Sequence, residues 1–382
     1  MTLFNIELSP EQITSENSSP IEIELGELMV CQPFTFTVVF PSILFETIQA
    51  KTFVWKSIKE EGQKVNHILR STEIVFNKNY NKIEFKLTPT KVGKEESYLI
   101  KIFSRKITKM IETNISLKFK FTVHPDGFYV EPNDPELVFD EKRANIRTEN
   151  FYEMYEGKFR NEDVLIKVEI DESMSLQQIS ILKMLRHQNI NELLGYFISD
   201  DYKYHLIMKK PKTTYDKCHN EYSDEVNNKL LIDIAKALKY LHSQNIVHLD
   251  VKPFNILICE TENGPIAKLN DFEISEKVKF DETKSSESKG TPFFISPEMK
   301  NRSFSKKSDI FSFGRLLLFI YLHLTFVDMM TILNTEREGH TELLENSDLD
   351  DKRKDLINRC CEENPENRTI TFDEIIEILK SF

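Results

Sequence analysis

Cysteine is scarce in this sequence, and the few residues present form no pattern. Cys31, Cys218, Cys259, Cys360 and Cys361 are odd in number and scattered over 382 positions without paired metal-ligand spacing. That excludes a disulfide framework or a zinc site as the organising element and fits a reducing compartment, the cytoplasm. Surplus positive charge is also missing: 50 Lys and Arg stand against 62 Asp and Glu, a net charge of −12, which argues against a general nucleic-acid binder. Long hydrophobic runs are absent too. The longest, around Leu316 to Val327, is interrupted by Tyr321 and His323 and is too short to span a bilayer, so it reads as a buried helix. No basic region followed by an apolar core opens the chain, and no leader or membrane segment is expected.

What is present is enough apolar material, 40% of the residues, to bury two substantial cores. Residues 1 to about 125 alternate apolar and polar positions in short runs. Ile115, Leu117, Phe119, Phe121 and Val123 alternate with Ser116, Lys118, Lys120 and Thr122; Ile83, Phe85 and Leu87, then Phe34, Phe36, Val38 and Phe40, and more briefly Ile21, Ile23 and Leu25, repeat the scheme. Strands with one buried face read this way, and several at short spacing predict an antiparallel β-sandwich of immunoglobulin-like kind over residues 1–125. This half shows no chemistry. Residues 126–140 hold Gly127, Pro132 and Pro135 among several acids and read as a linker. Beyond it the period changes: Leu176, Ile179, Leu182 and Leu185 with Ile181 predict one helix, and Leu230, Leu231, Ile234, Leu238 and Leu241 within 228–242 predict a second.

The chemistry concentrates in HLDVKPFN, His248 to Asn255, and in Leu269 to Glu273, about twenty residues on. An acid at Asp250, a lysine at 252, an asparagine at 255 and a second acid at Asp271 after an apolar strand make the polar inventory of a phosphoryl-transfer site. The pair resembles the catalytic loop and the magnesium-binding loop of a protein kinase. Other stretches resemble the same family in the same order. They are VLIK ending at Lys167, HQNINELLG from His187, GTPFFISPE from Gly290, SDIFSFG from Ser308, and CCEENPENRTITFDEIIEIL from Cys360. The resemblance implies an α+β bilobal protein kinase fold over residues 141–382, with a small lobe at 141–210 and a large lobe at 211–382. It points to a divergent member of the tyrosine-kinase-like/serine-threonine branch, since Lys252 and the Gly290–Thr291–Pro292 run look serine/threonine-directed.

By the same resemblance each residue takes a role. Asp250 would accept or orient the proton of the attacking hydroxyl, and Lys252 would offset developing charge. Asn255 and Asp271 would hold Mg²⁺, which takes hard oxygen ligands. Lys167 would contact the phosphates of ATP, and the hinge Met208 to Pro211, with Met208 and Lys210, would present its backbone to the adenine. Asp309 would brace the catalytic loop, and Arg368 would pair with Glu298.

Several positions depart from the family pattern. Arg147 to Met154 stands where the phosphate-covering loop belongs and contains none of its three glycines, while Glu149 and Tyr152 bring an anion and a ring. Gln178 replaces the helix Glu that pairs with the strand Lys. Glu169, two residues from Lys167 on the same strand face, is a possible substitute, although its plain reading is an exposed strand residue. Glu273 replaces a glycine and should restrict the turn after Asp271; Phe272 remains to pack beneath the small-lobe helix. Leu249 replaces the Arg that pairs with a phosphorylated activation segment, and Lys277 or Lys279 would have to serve Thr283, Ser285, Ser286, Ser288 or Thr291. Two readings stay open: a protein serine/threonine kinase using ATP and Mg²⁺ on protein substrates, or a pseudokinase that binds nucleotide or only scaffolds signalling partners.

Overall fold

The computed structural model describes strand segments within residues 1–124, and then residues 125–140, 146–147, 152–169, 171–199, 203–278, 283–285, 290–334 and 340–382. The chain divides into two compact units, residues 1–132 with 197–203, and residues 133–196 with 204–382.

In the first unit the alternating runs become strands: β1 (Leu3–Glu7), β2 (Ile21–Met29), β3 (Phe34–Val39), β4 (Ala50–Ser57), β5 (Leu69–Asn77), β6 (Lys82–Pro89), β7 (Gly93–Glu95), β8 (Tyr98–Arg105), β9 (Met110–Ile115) and β10 (Leu117–His124). They form three sheets, ordered β1-β3-β6-β5, β2-β10-β7 and β4-β8-β9. The expectation of purely antiparallel pairing needs correction, because β1 runs parallel to β3 and β2 parallel to β10. Alternation determines which face a residue takes and is blind to strand direction. Both parallel pairs have the long intervening chain that such neighbours require. The unbroken alternation from Ile115 to Val123 is also divided, Ile115 closing β9 and Leu117 opening β10.

The second unit opens with a sheet of β11 (Leu137–Phe139), β12 (Ile146–Arg147), β13 (Tyr152–Phe159), β14 (Glu162–Glu169), β15 (Leu193–Ile198) and β16 (Tyr204–Lys209). Its order is β11-β13-β14-β16-β15, with β12 also on β13. The stretch read as a linker therefore contributes a strand: Leu137–Phe139 pairs with Gly157–Phe159, which its Pro-rich flank conceals. Helix α1 (Glu172–Leu182) follows, capped by Asp171, whose side chain accepts the Met174 N–H at 2.9 Å.

The remainder is helical around α2 (Asp224–Ser243), whose Leu230, Leu231, Ile234, Leu238 and Leu241 are all buried as the period predicts. After it come β17 (Ile246–Val247), β18 (Ile256–Thr261), β19 (Gly264–Leu269), β20 (Glu276–Lys277), α3 (Lys306–Tyr321), α4 (Phe326–Asn334), α5 (Asp351–Cys360) and α6 (Phe372–Leu379). Helix α3 is buried from Ser308 to Tyr321. It lies so close to the end of α5 that a Cβ on Gly314 would meet Cys360 Cβ at 2.6 Å and Cys361 Sγ at 2.7 Å, so only glycine fits. The run from Leu316 to Val327 is not one helix. His323 takes a left-handed φ of 50°, Thr325 bonds Asp328 to start α4, and the two helices are bent by 119°. Phe326 and Val327 end up 55% and 70% exposed. Among the described residues no single helix is long and apolar enough to cross a membrane, and the four cysteines there are free thiols.

Candidate active site

Two strand pairs position the two loops that carry the acids. Antiparallel pairing of β18 with β19, and of β17 with β20, sets residues 248–255 beside residues 270–275. The Asn270 N–H donates to the Asn255 carbonyl at 2.9 Å, and His248 Nε2 donates to the Asn270 carbonyl at 3.0 Å. His248 Nδ1 in turn accepts the Asp250 N–H at 3.3 Å, the pattern of a neutral imidazole. Burial keeps it so, lowering its pKa against the pull of Asp309, Asp250 and Asp271.

Asp309, fully buried in the first turn of α3, accepts the backbone N–H of His248 at 2.9 Å and of Leu249 at 2.8 Å, with His242 Nε2 at 2.9 Å on the same carboxylate. These bonds hold Leu249 at a left-handed φ of 69°, a conformation that costs a branched residue about 1–2 kcal/mol. The Leu249 side chain packs with Val247, Val278, Met299 and Phe304. Where the family pattern has an Arg for a phosphate, this chain has an apolar plug. Of the candidate modification residues, Ser286 and Ser288, like the cation Lys279, lie outside the described residues.

The loop delivers Asp250 into a compact polar group. Its Oδ2 receives Lys252 Nζ at 2.7 Å and Asn255 Nδ2 at 2.8 Å, and its Oδ1 receives the Thr291 hydroxyl at 3.0 Å. Lys252 also donates to Thr291 Oγ1 at 2.7 Å. Thr291 comes this close because Gly290 has φ 109° and its backbone passes Leu249 so tightly that a Cβ would lie 3.1 Å from the carbonyl. Read from sequence, Thr291 was an activation-segment hydroxyl; its place in the run Gly290–Thr291–Pro292 was the signal for a site role. The Asn255 amide also bonds the Asp250 carbonyl at 3.0 Å, so the atom it can offer a metal is its oxygen.

On the facing sheet, Lys167 Nζ lies 3.0 Å from Asp271 Oδ1, 3.0 Å from Glu169 Oε1, and against Glu273. Burial opposes the ammonium, but Asp271, Glu169 and Glu273 outweigh it and hold the pKa well above that of an ordinary lysine. Asp271 is buried as well, and Lys167 prevails in keeping its carboxyl below the usual range. Glu273 goes the other way: burial and the charges of Asp271 and Glu169 push it up to about 7 despite its contact with Lys167.

Three expectations change here. Glu169 is 4% exposed and paired, not an exposed strand residue. Asp271 itself takes φ 66°, and Glu273 adds a carboxylate at Lys167. Gln178 meets Glu169 and the Phe272 N–H rather than standing as a bare loss. Phe272 is fully buried and packs edge-on against His248, ring centroids 4.9 Å apart.

At the hinge, Met208 is buried within β16 opposite Leu165, the Lys210 N–H is engaged by the Asp163 carbonyl at 3.1 Å, and Pro211 has no N–H. Lys209 and Lys210 extend to Glu162 at 3.3 Å and Glu156 at 2.7 Å. In the stretch read as the phosphate-covering loop, Ile146 and Arg147 pair with Met154 and Glu153 as a hairpin; residues 148–151, with Glu149, lie outside the described residues. Farther off, Arg368 forks onto both Glu298 oxygens at 2.8 and 3.2 Å.

Comparison with known proteins meets this geometry. The family model of the protein kinase domain matches residues 158–378. Among curated proteins of Dictyostelium discoideum, the chain is 30% identical over 248 residues to "Probable serine/threonine-protein kinase gdt2", covering 59% of this chain and 15% of that one. It is 30% identical over 227 residues to "Probable serine/threonine-protein kinase samkB", covering 52% and 38%. With "RGS domain-containing serine/threonine-protein kinase A" the identity is 23% over 344 residues, covering 83% and 28%. The chain thus spans well under half the length of these relatives. With the family model matching more than half of the chain, and the catalytic-loop and metal-loop residues side by side within the match, the chain belongs to the protein kinase family.

Proposed function

We propose that this chain is a serine/threonine protein kinase that transfers the γ-phosphate of ATP, with Mg²⁺, to hydroxyl groups of protein substrates. The observation that carries the reading is the Asp250 carboxylate, held between Lys252, Asn255 and Thr291 in a loop braced by Asp309. A carboxylate so fixed can orient a substrate hydroxyl and take its proton, while the Lys252 ammonium beside it offsets negative charge gathering on the phosphoryl group. Asp271 and the amide oxygen of Asn255 would hold Mg²⁺, which when bound bridges and neutralises phosphate oxygens. Lys167 would hold the nucleotide phosphates, with the hinge at Met208 to Lys210 against the adenine. The Thr291 hydroxyl joining Lys252 and Asp250 supports serine/threonine direction within the tyrosine-kinase-like/serine-threonine branch, as do the names of the relatives. A pseudokinase is not favoured, because Lys167, Asp250, Lys252, Asn255 and Asp271 are all present and the relatives are named as serine/threonine kinases.

The full chain incubated with γ-labelled ATP, Mg²⁺ and a generic protein substrate is expected to place label on Ser or Thr. Lys167→Ala should reduce transfer by about a hundredfold or more, the scale of one lost charge-stabilising donor. No transfer, with nucleotide binding indifferent to Mg²⁺, would rule the reading out.

The elevated Glu273 carboxyl gives a pH signature. Below about 7 it is protonated and Lys167 is left to Asp271 and Glu169; above 7 it adds an anion where phosphate must come. Mg·ATP affinity is therefore expected to rise on the order of tenfold from pH 8 to pH 6, the worth of one like charge near a partly buried site. Glu273→Gln should be tighter at pH 8 and flat in Glu273's range; an unaltered profile in a titration of Kd against pH would count against this role. For stability the sign is the same: a carboxyl with a raised folded pKa stabilises least above 7 and most below its unfolded value.

For residues 1–125 we read the three sheets as a β-sandwich that recruits a signalling partner. The one-sided alternation of β3, β6 and β10 supports this, with the segment from 126 up to β11 joining it to a small lobe that ends at 210 and a large lobe at 211–382. The scattered free thiols support a reducing location, the cytoplasm.

A further inference from the structure

Glu169 sits two residues from Lys167 on the same face of β14, 4% exposed, with Oε1 3.0 Å from the ammonium. A carboxylate buried this deeply has to be compensated on every side. Lys167 does so from one side and Gln178 from the other. Gln178 is 1% exposed, and the amide orientation that satisfies both its neighbours puts its nitrogen on Glu169 Oε1 and its oxygen where it accepts the Phe272 N–H at 3.2 Å. Helix α1 is therefore tied to Lys167 through Glu169 and, by the same amide, to the loop that carries Asp271. The other two carboxylates on Lys167 come from that loop, Asp271 at 18% and Glu273 at 22% side-chain exposure, where incoming nucleotide and metal compete for them. Glu169 alone is carried by the same strand as the lysine.

We propose that Glu169 is the residue that positions Lys167, with Gln178 as its neutral bracket on α1. The negative charge that the family pattern puts on the helix stands here on the strand, and the helix carries the amide. The proposal rests on the kinase reading for its consequence in catalysis, but its geometry is open to test without turnover.

The test uses the full chain and acetic anhydride, which acetylates only the free amine, with Lys167 modification followed by mass spectrometry. Glu169→Gln removes the buried one of the three carboxylates on the lysine, leaving Asp271 and Glu273, and is expected to raise the Lys167 acetylation rate roughly fivefold or more. The double variant Glu169→Gln/Gln178→Glu restores one carboxylate and one amide and is expected to return the rate to near the starting level. Mg·ATP dissociation constants should follow, about tenfold weaker in the single variant and largely recovered in the double. Equal acetylation in the single variant and the parent, or a double variant no better than the single, overturns the proposal. Should Glu169→Gln fail to fold, a double variant that folds with Lys167 protected supports it, and one that does not fold overturns it. A parent chain that protects Lys167 but transfers no phosphate defeats the kinase reading alone.

Discussion

Asp250→Asn is expected to lower kcat for phosphoryl transfer by about 10²–10⁴-fold, the usual worth of a positioned general base, while leaving the fold and Mg·ATP binding near those of the parent chain. The substitution is nearly isosteric. Its amide oxygen can still face Lys252 and Asn255, which both donate to Oδ2 at 2.7 and 2.8 Å. The amide nitrogen then falls toward Thr291, whose hydroxyl now donates to Oδ1 at 3.0 Å and would have to turn away. One charge-assisted hydrogen bond rearranges and the Lys252 ion pair becomes a hydrogen bond to a neutral oxygen, a loss of about 1.5–3 kcal/mol, too little to unfold a loop held by Asp309. What disappears is the anion that can accept a proton. Single-turnover measurements with saturating Mg·ATP read the chemical step directly, and a variant retaining more than about a tenth of the parent rate would remove Asp250 from the proton-accepting role.

Arg368→Ala is expected to destabilise the second unit by about 3–5 kcal/mol, the cost of leaving one member of a buried ion pair alone. Arg368 is 1% exposed. Besides both oxygens of Glu298 it donates to the carbonyls of Lys307 at 2.9 Å and of Glu362 at 2.7 and 2.9 Å, and its guanidinium lies 5.0 Å from the Phe311 ring. Glu298, half-buried but held below the usual carboxylate range by that guanidinium and by the Ser308 hydroxyl, would keep the hydroxyl but be left charged without its cation. The paired Glu298 contributes stability above its ordinary pKa and loses it as pH falls through the lowered folded value, so the gap between parent and variant should close in acid. Arg368→Lys keeps a charge but not the planar fork and should fall between. Urea unfolding followed by helical circular dichroism reports on this unit, where the described helices lie. A loss under about 1 kcal/mol would show that neighbouring groups or water replace the pair.

The short polar motifs were legible in the one-dimensional string because their chemistry is local. From Asp250 to Asn255 the spacing alone sets which side chains share a turn, and the apolar period of α2 marks its buried face. Lys167, Asp271 and the hinge could be named because they belong to the same ordered set of motifs. Direction and end points of strands were not legible, since alternation is the same for either direction. This hid the parallel pairing of β1 with β3 and of β2 with β10, while the Pro-rich flank hid Leu137–Phe139. The break after Tyr321 was hidden because hydropathy does not register a left-handed residue at His323.

The polar residues that departed from the pattern behaved differently. Sequence named Gln178, Glu273 and Leu249 as deviations and Glu169 as a candidate substitute, but whether each was damage or replacement depended on what stood opposite. β14 turns Glu169 inward onto Lys167, α1 brings Gln178 to Glu169, the Asp271 turn swings Glu273 to the same ammonium, and an apolar cluster closes over Leu249. Composition and motif order were sufficient to identify the family and the candidate acids. Only the tertiary structure decided the charge balance around Lys167. Desolvation and Coulomb interactions there depend on distances between residues about a hundred positions apart, which no spacing along the chain encodes.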